Sequence, residues 1–99
     1  MMLGDKVSAK EAERIGMIYK VFDDETFQSD ALKLVYTLAQ MPTKGLAYTK
    51  QALNQSFANN LEDQLHDEEM LQEKAGATED YNEGVQAFLQ KRKPLFKGK

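Results

Sequence analysis

Residues 83–99 read EGVQAFLQKRKPLFKGK, and this closing stretch decides how the chain is read. Val85, Phe88 and Leu89 recur at helical spacing, which lays apolar side chains along one side of a helix. Pro94 stops that helix, because proline disfavours helical geometry in the residue before it. Upstream, Asp80 and Glu83 form a capping-box pattern, so the spacing predicts a helix from near Asp80, with Tyr81 also inward, to a point before Pro94. Five bases (Lys91, Arg92, Lys93, Lys97 and Lys99) then follow without an acid, in a protein of net charge −3. Cations at the carboxyl end of a helix meet the negative pole of its dipole, which accounts for Lys91, Arg92 and Lys93 at about a few tenths of a kcal/mol each. Phe88 and Lys91 admit a second reading. At a spacing of three, an aromatic face and an ammonium share one helix side and suit an adenine ring and its neighbouring phosphate. Phe88 is equally well read as core, and both readings stay open at this point.

Helix signals recur through the rest of the chain. Ser8 and Glu11 form a capping box before a short helix over 9–15, which Gly16 closes in a left-handed turn. Residues 16–22, GMIYKVF, are the one stretch of β character, with Ile18, Val21 and either Met17 or Tyr19 placed for burial. They have no partner strand, and unpaired strand edges leave backbone groups unsatisfied. A second helix is predicted over 25–40, carrying Phe27, Ala31, Leu34, Val35, Leu38 and Met41 on one face and ending at Pro42. Thr43 is placed to cap a third, to about Phe57, with Leu46, Ala47, Ala52, Leu53 and Phe57 as its apolar positions. Asn59 or Asn60 caps a fourth over 61–75, thinly apolar at Leu65, Met70 and Leu71, with Gly76 as its stop. The expected fold class is all-α: about five short helices in one domain over residues 1–99. Such faces are expected to complete their burial against a partner chain.

Composition sets the outer bounds. Hydrophobic residues make up 41% and charged residues 29%, as in an ordinary soluble globular chain. The acidic balance gives no general affinity for nucleic acid or anionic membrane. No apolar run reaches the roughly 18–20 residues of a membrane span, and the start lacks a signal-peptide core. There is no cysteine, which excludes disulfides, thiolate metal sites and a cysteine nucleophile. The expectation is a cytoplasmic protein that engages neither nucleic acid nor membrane.

Catalytic chemistry is nearly absent. His66 is the single histidine and sits in an acidic run, so a surface role outweighs that of ligand or base. Asp67, Glu68 and Glu69 lie together on a hydrophilic helix, where water keeps carboxylates ordinary, whereas carboxylate catalysis needs two different environments. Gly4 and Gly45 stand alone, without a phosphate-cradling loop, and the serines lack a nucleophile-elbow context. No catalytic residue and no metal ligand is assigned.

The opening pattern G-[DE]-x-[VI]-[ST]-A-x-[ED]-A-x-x-x-G-[ML]-[IV], present from Gly4 to Ile18, and the close E-G-V-x-A-F-L-x-K-R-x-P-x-F, present from Glu83 to Phe96, supply what composition lacks. With MPTKGLAYTKQALNQS between them, they make the chain resemble the carboxyl-terminal portion of the enoyl-CoA hydratase/isomerase (crotonase) superfamily along essentially its whole length. AGATEDYNEGVQAFLQKRKP is most similar to the phenylacetate-degradation branch of acyl-CoA isomerases. The resemblance implies a fragment of a longer enzyme. The absent spiral core would supply the oxyanion hole that stabilises a thioester enolate, together with the acidic residues that move protons. It further implies a coenzyme A thioester as substrate, no permanently bound cofactor, and a parent that is a trimer or hexamer. The isolated chain is then expected to be inactive. Phe88 and Lys91 match the aromatic and the lysine that some members place near the CoA adenine and phosphates. A third aromatic, on the preceding helix, is Gln72 here, which departs from a full adenine clamp. The rival expectation is a free-standing helical self-association module with no enzymatic activity. Such a module should bury residues 17–22 within its own fold or its dimer.

Overall fold

The computed structural model describes residues 4–99 and contains five α-helices; among the described residues there is no strand. Residues 1–3 lie outside the described part. The chain divides into two compact units, Met1–Leu34 and Val35–Lys99. Among the described residues no helix is long and apolar enough to cross a membrane.

The first unit holds α1 (Ala9–Arg14) and most of α2 (Phe27–Ala39). Ser8 is the N-cap of α1 and its hydroxyl accepts from the Glu11 N–H. Glu11 does not reciprocate as a capping box would, because its carboxylate is taken by a bidentate pair with Arg14. Gly16, at φ 76, closes the helix as expected, and the Met17 N–H reaches back to the Ala12 carbonyl. Residues 17–22 form no strand. Met17, Ile18 and Tyr19 are exposed while Val21 and Phe22 are half-buried, so the expected burial holds at Val21 and fails at Ile18 and at both Met17 and Tyr19, one of which was to be buried. With no neighbouring strand, the segment is held by short-range bonds, among them Val21 N–H to Glu13 Oε2. Phe22 and Phe27 meet edge-on, with centroids 6.3 Å apart.

The second unit packs α3 (Thr43–Gln55) against α4 (Leu61–Gly76), and α4 against α5 (Glu79–Leu89). The N-cap of α3 is Pro42 and Thr43 is its first helical residue, so the expected threonine cap is not made. Of the two asparagines considered for α4, Asn60 is the cap and accepts from the Asp63 N–H. Gly76 belongs to α4 and the helix stops one residue later than its glycine suggested. The core is small: Leu71 is 6% exposed and Ala87 is 1% exposed, against Phe57 at 92%. The apolar stripes that predicted the helices are therefore mostly open to solvent, including Leu53, Leu61, Leu65 and Leu89.

Candidate functional site

The site is built from α5 and the chain that follows it. α5 starts at Glu79, close to the expected Asp80, but its N-cap is Thr78, two residues before the Asp80 of the capping-box pattern. Thr78, in extended geometry, caps it by accepting from the Tyr81 N–H, and this frees Asp80 and Glu83 for other partners. The helix ends at Leu89, well before Pro94. It ends there because Lys91 turns left-handed, at φ 53, with its N–H on the Phe88 carbonyl and the Arg92 N–H on the Ala87 carbonyl. That pair of bonds is the usual left-handed helix stop, in which glycine normally fills the position held here by Lys91. The premise that Phe88 and Lys91 share one helix side is thus corrected: Lys91 lies beyond the helix, in the turn hydrogen-bonded to Phe88. Among the L-amino acids this backbone costs about 1–2 kcal/mol. Replacing Lys91 with glycine is therefore expected to raise stability by about 1 kcal/mol in urea unfolding.

Beyond the turn the tail doubles back along α5. Arg92 forms a bidentate pair with Glu83, Nη1 to Oε1 at 2.6 Å and Nη2 to Oε2 at 2.8 Å. The Leu95 N–H donates to the same Glu83 carboxylate at 2.8 Å. Arg92 is accordingly more than a charge at a helix end. The Arg92 guanidinium, and then the Leu95 N–H, pull the Glu83 carboxyl down to about 2. A depressed carboxyl contributes stability above its unfolded value, near 4.5, and loses it as pH falls through the folded one. The grip is thus expected to hold at pH 4 and to fail as pH falls through about 2, which a side-chain carboxyl titration by NMR at Glu83 checks.

Asp80, 3% exposed, is the second anchor. Its Oδ1 accepts from the Lys97 N–H at 2.6 Å and its Oδ2 from the Gly98 N–H at 2.8 Å, while its own N–H donates to the Lys99 carbonyl. Gly98 sits at φ 71, where a Cβ would stand 2.6 Å from Thr43 Oγ1. Phe96, between the two anchors, lies over Gly84 with its ring carbons 3.6 and 3.9 Å from where a Cβ would be.

The returning tail leaves an open groove of about 390 Å³ along α5. Tyr81, Val85, Phe88 and Leu89 line it with Phe96 and Pro42. Phe88 is 83% exposed, which excludes the core reading for it in this chain. The groove does not include Lys91, and Gln72 lies in a separate cleft between α3 and α4. His66 is exposed. Sequence reasoning missed Asp80 and Glu83 as tail anchors; the one available signal was the cap-forming Thr78 just ahead of them. Chemically the groove can hold a flat apolar group beside a cationic turn.

Residues 1–99 match the family described as "Enoyl-CoA hydratase/isomerase" over their whole length. The chain is 48% identical over 98 residues to 1,2-epoxyphenylacetyl-CoA isomerase of Escherichia coli K12, covering 99% of this chain and 37% of that protein. It is 37% identical over 99 residues to 2,3-dehydroadipyl-CoA hydratase of the same organism, covering all of this chain and 39% of that one. Its fold superimposes on an enoyl-CoA hydratase subunit I from Geobacillus kaustophilus HTA426 with TM-score 0.90 at 35% identity, over 98% of this chain and 38% of that one. An enoyl-CoA hydratase from Polaromonas sp. JS666 gives TM-score 0.88 at 29% identity over the same shares. The chain thus spans well under half the length of the relatives it matches.

Proposed function

The chain belongs to the enoyl-CoA hydratase/isomerase family, and from that membership we propose that it is the carboxyl-terminal helical portion of an enzyme acting on acyl-CoA thioesters, a phenylacetate-pathway isomerase. The observation that carries this reading is the 48% identity, over 99% of the chain, to 1,2-epoxyphenylacetyl-CoA isomerase. In the whole enzyme, backbone donors of the spiral core stabilise the thioester enolate and an acidic residue of that core moves the proton. The present residues bind and enclose: Phe88 stacks on the adenine of coenzyme A, and Lys91 in the adjoining turn meets its phosphates. The backbone conformation of Lys91, unfavourable for a lysine, supports a role in binding over one in stability. The open stripes of α3, α4 and α5 are the surfaces on which the spiral core and neighbouring subunits pack. The exposure of Met17, Ile18 and Tyr19 favours this reading over a module that buries them within its own fold.

Titration of the labelled chain with coenzyme A, followed by NMR, tests the proposal. The expected result is saturable shifts at the Phe88 ring and Lys91 amide, no matching response to an oligonucleotide, and no turnover of an enoyl-CoA. Turnover at enzyme-like rates, or shifts only with the oligonucleotide, would overturn it.

A further inference from the structure

The structure assigns Asp80 and Glu83 as positioning residues for the nucleotide groove: from the two sides of Phe96 they clamp the tail to α5, so that the Phe96 ring becomes part of the surface on which the ligand rests. The inference deepens the proposed reading of Phe88 and Lys91 and depends on it.

The anchors divide the work. Asp80 grips two successive backbone N–H groups, one per carboxylate oxygen, beyond Phe96. Converging N–H groups of this kind form an anion-holding concavity, and a charged acceptor roughly doubles the strength of each bond. Glu83 grips the Arg92 guanidinium and the Leu95 N–H before Phe96. The two grips use backbone donors and one arginine, so they fix the path of the tail irrespective of its other side chains. Between them Phe96 has one place to go, over Gly84, where the helix presents no side chain. A tail cut loose at either anchor would take Phe96 out of the groove and leave Phe88 standing alone on the helix. Asp80 borders the groove with both its oxygens on the tail, and Glu83, outside the groove lining, acts through the tail alone.

The test compares the full chain with its Asp80→Ala and Glu83→Ala variants, the second leaving the buried anchor intact in case the first fails to fold. Three quantities are read: amide-exchange protection at Lys97 and Gly98, proximity of the Phe96 ring to Gly84 by NMR, and affinity for coenzyme A. Asp80→Ala is expected to lower protection at Lys97 and Gly98 at least tenfold, remove the Phe96–Gly84 proximity and weaken coenzyme A about threefold or more, with helical content unchanged. Glu83→Ala is expected to shift the same three readings in the same direction by less. Asp80→Asn, which keeps one acceptor oxygen, is expected to fall between wild type and alanine. A tail that stays docked in both alanine variants overturns the inference, and so does a released tail with unchanged affinity. A wild-type chain that gives no response to coenzyme A overturns the nucleotide reading itself, and the positioning role with it.

Discussion

Replacing Leu71 with alanine is expected to remove about 2–5 kcal/mol of stability, enough to unfold most of the second unit. Leu71 is the one large apolar side chain that the unit buries, and it lines the cleft between α3 and α4 with Ala52 and Ala75. Deleting its branched end forfeits both the transfer free energy and the contacts around the cavity left behind. A domain of this size holds only about 5–15 kcal/mol in reserve, and this one begins with a small core. Leu61, exposed on the same helix, serves as the control: its alanine variant is expected to change stability by no more than about 0.5 kcal/mol. Urea unfolding of the two variants side by side measures the contrast. Equal losses would mean that the helices are held together by something other than the Leu71 contacts.

Replacing Phe88 with alanine is expected to have the opposite profile. Its ring stands in solvent, so stability should move by less than about 0.5 kcal/mol. Affinity for coenzyme A should fall about fivefold to 150-fold, the range set by stacking a base on an aromatic ring at about 1–3 kcal/mol. Lys91→Ala should lose less, and its loss should shrink as salt screens the phosphates. Calorimetric titration of each variant at low and high salt separates the two contributions. A Phe88→Ala chain that unfolds more readily yet binds coenzyme A unchanged would return this residue to a packing role.

Local chemistry made the helices legible. Ser8, Gly16 and Asn60 act through bonds to residues within a few positions, and each does in the structure what its type dictates. Helical periodicity placed all five helices for the same reason. What periodicity could not show was where the apolar faces would be covered. Phe57, Leu61 and Phe88 mark stripes as surely as Leu71 does, yet of these four only Leu71 is buried within this chain. The sharper misses cluster at α5. Asp80 and Glu83 carry the spacing of a capping box, but their partners are the backbone of residues 95, 97 and 98 and the side chain of Arg92. Those contacts span nine to eighteen positions, beyond the range of any helix pattern. The left-handed turn at Lys91 was hidden because the residue that usually reveals it, glycine, is absent there. Of the candidate site, Phe88 and Lys91 could be nominated from the sequence, whereas the turn that takes Lys91 out of the helix could not.

Saturation-transfer NMR of coenzyme A in the presence of this chain tests the central claim most directly. With the aromatic side chains saturated, the adenine protons are expected to receive the strongest transfer and the pantetheine protons the weakest, and the adenine signal should fall sharply in Phe88→Ala. Transfer concentrated on the pantetheine arm, or adenine transfer undiminished without Phe88, would contradict it.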